Sequence, residues 1–145
     1  MYFDINWQIE IDLLKIEAII LHAKGASVPI ALDLNSKSTS WHNTLTSRKG
    51  RILVEFFMIN WLHILKEESE YTTFQSHRGT SNIDITVTSN QLLSKVVVWE
   101  IREQECCSDH SIIRYATGRT TADRTEFEVQ DVRCIVKKLN KEKFR

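Results

Sequence analysis

No sign of charge dominates this chain: 19 Lys and Arg stand against 19 Asp and Glu in 145 residues. A global field that would recruit nucleic acid is therefore excluded, and any such binding must use a local patch. Cysteine is scarce and poorly spaced for crosslinking. Cys106, Cys107 and Cys134 make an odd count with a vicinal pair, which is neither a disulfide framework nor a Cys-x-x-Cys metal site. A reducing compartment, nuclear or cytoplasmic, is the expectation. No apolar run reaches the roughly 18 to 20 residues of a membrane span. The start Met1-Tyr2-Phe3-Asp4 is not a basic segment leading into an apolar core. Neither a membrane partner nor secretion is expected, and no repeat or low-complexity tract is present.

What is there suits one packed domain: 42% apolar residues, 9% of the chain aromatic, at a length that can bury a core. Charge is uneven locally. Between Asp33 and Glu55 the only ionised side chains are Lys37, Arg48, Lys49 and Arg51, and the last stretch is basic.

Ile9, Leu13, Ile16 and Ile20 recur at helical spacing with Glu10, Lys15 and Glu17 on other faces, and Gly25 stops the pattern, which predicts an amphipathic helix. Val28-Pro29-Ile30-Ala31-Leu32 reads as a buried strand delivering Asp33 at its end. Residues 35–49 are polar and hold Trp41-His42, as a functional loop would. A second helix is expected from Gly50 to Asn60, short strands at 62–65 and 72–74, and then Asn82-Ile83-Asp84-Ile85-Thr86-Val87-Thr88. In that run Ile83, Ile85 and Val87 alternate to a buried face and Asp84 lies on the other. A helical turn at 91–93, a strand at 96–102 and a last strand at 111–117 complete a layered α/β architecture.

Chemistry concentrates at three places. Asp33-x-Asn35 at a strand end puts a carboxylate and an amide on one side of the pleat. The first can take a proton from water and the second can hydrogen-bond a phosphoryl oxygen; the plainer reading is an Asx-turn. Asp84 and Asp109 are both candidates to orient an imidazole or hold a hard divalent cation, and His110 is the imidazole beside them. Trp41 offers a ring for stacking on a base, or caps the core. Cys106-Cys107 has no activating neighbour and is a poor nucleophile.

The series Ile30-Ala31-Leu32-Asp33-Leu34-Asn35-Ser36-Lys37-Ser38 through Trp41, then Thr73-Phe74, Ser81-Asn82-Ile83-Asp84-Ile85-Thr86, Trp99 and Ser108-Asp109-His110 resembles the endonuclease/exonuclease/phosphatase superfamily. The likeness is to the apurinic-endonuclease-like domain of non-LTR retrotransposons, of the arthropod type, over residues 1–118, with 119–145 as a basic linker or tail. It implies a four-layered α/β/β/α sandwich, DNase I-like, and nicking of DNA with Mg2+ or Mn2+. By resemblance, Asp33 activates the attacking water, Asn35 positions it and the phosphate, Asp84 pairs with His110 as the acid-base group, and Asp109 contributes to the metal site. Tyr2 matches a residue near the phosphate. Lys37, Trp41, Arg48, Lys49 and Arg51 are the expected nucleic-acid contacts.

The family's first half, with an Asn and a metal-binding Glu, has no counterpart here, and Leu32 stands where the family has Gly. A truncated copy is expected, with two outcomes: a metal-dependent DNA endonuclease, or a catalytically inactive remnant that binds nucleic acid weakly. Edges left uncovered favour self-association or pairing with the missing half.

Overall fold

The computed structural model describes residues 1–4, 8–102 and 108–118. The expected tail at 119–145 and all three cysteines lie outside the described residues.

The chain opens with helix α1 (Ile9–His22), closed by a turn in which Lys24 and Gly25 both take positive φ. Strand β1 (Ile30–Asp33) follows, then a single 3-10 turn at Thr39–Trp41 and helix α2 (Arg48–Ile59). α2 begins two residues before the expected Gly50 because Ser47 caps it, its hydroxyl accepting from the Gly50 amide at 3.0 Å. Gly50 itself cannot be replaced cheaply, since a Cβ there would collide with the Lys37 carbonyl oxygen. Strands β2 (Leu62–Leu65), β3 (Phe74–Ser76), β4 (Gly79–Ser81) and β5 (Asp84–Ser89), a helical turn α3 (Asn90–Leu93), and strands β6 (Val96–Arg102) and β7 (Ile112–Thr117) complete the order.

β1 and β2 flank β5, all antiparallel, with Ile30 opposite Val87 and Asp33 opposite Asp84. Residues 1–3 run parallel along the free edge of β1: the Phe3 amide donates to the Asp33 carbonyl and the Asp33 amide to that of Met1, both at 2.8 Å. One face of this sheet carries Ile30, Leu32, Ile85 and Val87 into a core shared with Ile9 and Ile16 of α1 and with Leu53, Phe56 and Phe57 of α2. Alternation along a strand accounts for that face.

The other face corrects the sequence expectation. Thr86 and Thr88 of β5 are buried, at 2% and 0% exposure, because the β6–β7 ribbon packs over them. Trp99 of β6 donates its indole N–H to the Thr86 hydroxyl at 3.3 Å, and Trp99, Ile101 and Leu65 form a second, smaller core. The polar residues of β5 are therefore interior, and the alternation marks which layer they face rather than exposure to water. Helices, central sheet and ribbon make a mixed α/β sandwich.

A second correction concerns 72–81. The expected strand at 72–74 starts only at Phe74, and β3 pairs with β4 as a hairpin about His77 and Arg78. Thr73 stays out of the ladder with β4 because its amide donates to the Asn82 side chain and its carbonyl accepts from the Ser111 amide.

Candidate active site

Asp33 ends β1 and Asp84 begins β5, and antiparallel register sets them side by side on the face turned to the ribbon. His110 arrives from the segment leading into β7, held by a backbone bridge to Phe74 and by edge contact with the Phe74 ring at 5.0 Å between centroids. Its Nδ1 lies 3.1 and 3.0 Å from the two Asp84 carboxylate oxygens, and its Nε2 lies 4.0 Å from Asp33 Oδ2. Nδ1–H thus points at Asp84, which fixes the ring and turns Nε2 toward Asp33. Burial pushes the Asp84 carboxyl above the usual carboxylate range; the His110 hydrogen bond opposes this, and the neighbouring Asp33 charge adds to it.

Asp33 serves two purposes at once. Its Oδ1 accepts from the Asn35 amide at 3.2 Å, the Asx-turn of the plainer reading, while Oδ2 faces the imidazole. Asn35 takes positive φ (44°), which Asn tolerates better than most residues, and its side-chain amide donates to the Phe3 carbonyl at 2.9 Å. Residues 1–3 therefore brace both Asp33 and Asn35, and Tyr2, half-exposed, is bridged to Asp33. Met1, Tyr2, Asp33, Asp84 and Ser111 line a shallow cavity of about 330 Å³ there.

Three groups escaped the sequence reading. Thr73, fully buried, accepts from the amides of both Ile83 and Asp84 on its hydroxyl, at 2.9 and 3.0 Å. Asn82 accepts from the Thr73 amide, donates to the His42 carbonyl, and exchanges two bonds with the Asn43 side chain. This network pins the start of β5 and hence Asp84. Lys66 leaves the end of β2 and lies over the Trp99 ring at 4.9 Å; burial brings its ammonium down to about 8, with Asp84 opposing. The only sequence signal for Thr73 and Asn82 was their uncharged polar character at the margin of an apolar run, and Lys66 simply follows one.

Among the described residues, Asp33, Asp84 and His110 are the one set of three potential ligands whose donor atoms lie within 4.8 Å of one another. The two carboxylates suit a hard divalent cation, with positions left for water or phosphate oxygens, whereas the imidazole nitrogen is a softer donor. The expected donor Asp109 is not in that set. It is exposed, gives its carbonyl to the Gln75 amide, and lines a neighbouring cavity of about 660 Å³ with His110, Tyr71 and Gln75.

Residues 1–114 match the Endonuclease-reverse transcriptase family. The chain belongs to that family. It is a non-LTR retrotransposon endonuclease domain of the endonuclease/exonuclease/phosphatase superfamily. It is 31% identical over 134 residues to the 115 kDa protein of the type-1 retrotransposable element R1DM of Drosophila melanogaster, covering 86% of this chain and 13% of that protein. It is 26% identical over 93 residues to the Pol polyprotein of the R1 element of Bradysia coprophila, covering 59% and 9%. The solved endonuclease domain of TRAS1, a telomere-specific non-LTR retrotransposon, superposes with a TM-score of 0.73 at 27% identity, covering 80% of this chain and 54% of that one. The chain thus spans about half of that solved domain and a small part of the curated relatives.

The expected nucleic-acid residues of this endonuclease domain divide. Lys37, Arg48 and Arg51 are exposed. Trp41 is fully buried, its indole N–H bound to the Ser36 carbonyl, so it is a core residue and its ring is closed to stacking on a base. Lys49 is turned inward: its ammonium donates to the Asp4 carbonyl at 2.9 Å and sits over the Phe3 ring, and burial lowers its pKa while Asp12, Asp4 and Asp33 oppose. No helix among the described residues is long and apolar enough to cross a membrane.

Proposed function

We propose that this domain hydrolyses DNA phosphodiesters with a divalent cation, Mg2+ or Mn2+. The observation that carries the reading is the bifurcated His110 Nδ1–Asp84 contact with Asp33 across from it. Asp84 would hold the ion, with Asp109 on the rim as an outer oxygen donor, which leaves Asp33 to act on the attacking water. When bound, the ion neutralises charge on the phosphate and polarises it for attack. It also relieves the cost of two carboxylates lying side by side.

His110 then works from its Nε2 edge. Asp84 fixes Nδ1 as a donor and stabilises the ring when charged, leaving Nε2 to exchange a proton at the phosphate. Asp33 accepts the proton of the attacking water through Oδ2, because Oδ1 is occupied by the Asn35 amide. Asn35, braced on Phe3, donates its second Nδ2–H to a phosphoryl oxygen. Lys37, Arg48 and Arg51 grip the flanking backbone by counterion release, and the setting is nuclear or cytoplasmic.

The test is nicking of supercoiled plasmid by the whole chain with Mg2+, Mn2+ or EDTA. Metal-dependent nicking that falls by a factor on the order of 10² to 10⁴ in His110→Ala is expected. Nicking unchanged in that variant rejects the assignment. No nicking, with DNA binding that weakens in salt and ignores metal, would replace it by the binding-only remnant.

A further inference from the structure

Helix α1 is apolar on two sides. Ile9 and Ile16 are buried against the sheet, with Leu13, Ile19 and Ile20 packed beside them. On the opposite side Ile11, Leu14 and Leu21 are 41%, 63% and 77% exposed, and Ala18 between them is exposed too. A surface helix normally carries one apolar stripe. This one carries a second that no described part of the chain covers.

The second stripe has its own spacing. Residues 11, 14, 18 and 21 step by three, four and three, which are the a and d positions of two heptads, with Ile first at a and Leu at both d. We propose that α1 is a dimerisation helix, pairing in parallel with α1 of a second copy of this chain.

The charges flanking the stripe choose that occupant and that direction. Glu10 and Glu17 occupy the g positions, Lys15 and His22 the e positions. In a parallel pair each g residue meets the e residue five positions on in the other helix. Glu10 therefore meets Lys15 of the partner subunit, and Glu17 meets His22 of the partner subunit, each contact occurring twice by symmetry. An antiparallel pair brings like flanks together, Glu beside Glu and Lys beside Lys, which costs energy. Lys15 also bonds the buried Asp12 carboxylate at 2.9 Å within its own helix, and an ammonium with three donors serves both partners. Ala18 at the second a position lets the helices approach closely.

Two heptads are too short for a free coiled coil, because an isolated helix of this length is marginal in water. α1 avoids that cost. Its inner face, with Ile16 fully buried, orders it before any partner arrives.

Sedimentation equilibrium of the full chain over micromolar to submillimolar concentration tests the pairing. A reversible monomer–dimer equilibrium is expected, weakened more than about tenfold by Leu14→Glu, a central apolar contact of the pair, with the far-UV spectrum kept. Glu10→Lys/Glu17→Lys is expected to be monomeric alone and to form a mixed dimer with Lys15→Glu/His22→Glu. A wild-type chain that stays monomeric throughout overturns the proposal. So does a dimer undiminished by Leu14→Glu, or a Glu10→Lys/Glu17→Lys chain that dimerises as well as the wild type.

Discussion

The two ends of β5 handle buried polar groups in opposite ways. At the start, Asp84, Asn82 and Thr73 are tied to one another, to Asn43 and to His110. At the far end, His63 Nε2, Thr88 Oγ1 and Ser89 Oγ are buried with no partner among the described residues, although His63 and Thr88 are directly opposed across β2 and β5. Both ends lie in one strand between two layers, so burial alone does not explain the contrast. The start carries a side-chain network that fixes Asp84, whereas the far end is fixed by the backbone ladder of β2 and β5.

The strongest way to break this comparison is Thr73→Val. Valine keeps the shape but leaves the amides of Ile83 and Asp84 without an acceptor, at about 1 to 3 kcal/mol for each buried donor. A loss of about 2 to 4 kcal/mol in urea unfolding is expected; a change of a few tenths would show that the network is ornamental.

Acid–base linkage gives a smaller effect with a definite sign. The folded pKa of Asp84 is raised chiefly by burial, so between its unfolded and folded values the native state binds more protons than the unfolded one. Its contribution to stability is present at lower pH and is lost as pH rises from the ordinary carboxylate range through the folded value. Melting temperature against pH should show that decline in the wild type and a flatter profile in Asp84→Asn. A decline of equal slope in both would assign it to other groups.

The far end predicts the smallest change. Thr88→Val exchanges a buried hydroxyl without a partner for a methyl and should leave stability unchanged or raise it by up to about 1 kcal/mol. A clear loss would mean that the Thr88 hydroxyl is bonded after all, and the two ends would differ less than their geometry indicates.

Much of the fold was legible because periodicity and punctuation agree. Ile9, Leu13, Ile16 and Ile20 announce α1, and the residues of β6 coincide with their predicted strand. What stayed hidden was relational. That Thr86 and Thr88 are interior depends on a ribbon arriving later in the chain, and alternation cannot say whether the second face meets water or another layer. Trp41 illustrates the same limit: a Trp in a polar loop reads equally as a stacking ring or a core plug, and only the fold shows the plug. Asp33, Asp84 and His110 were nameable from spacing and resemblance. The braces behind them, Thr73 and Asn82, stand in the series that carries the resemblance, but their bonds to backbone amides and carbonyls have no signature in spacing.

The strip formed by residues 1–3 makes the cluster stand on two separate supports. The Phe3 ring is fully buried in the core, while the backbone beside it bonds both sides of Asp33 and its carbonyl steadies Asn35. Asp84 and His110 rest instead on Thr73 and Phe74. A change in how Phe3 packs would therefore shift the Asp33 half against the Asp84 half without touching the imidazole.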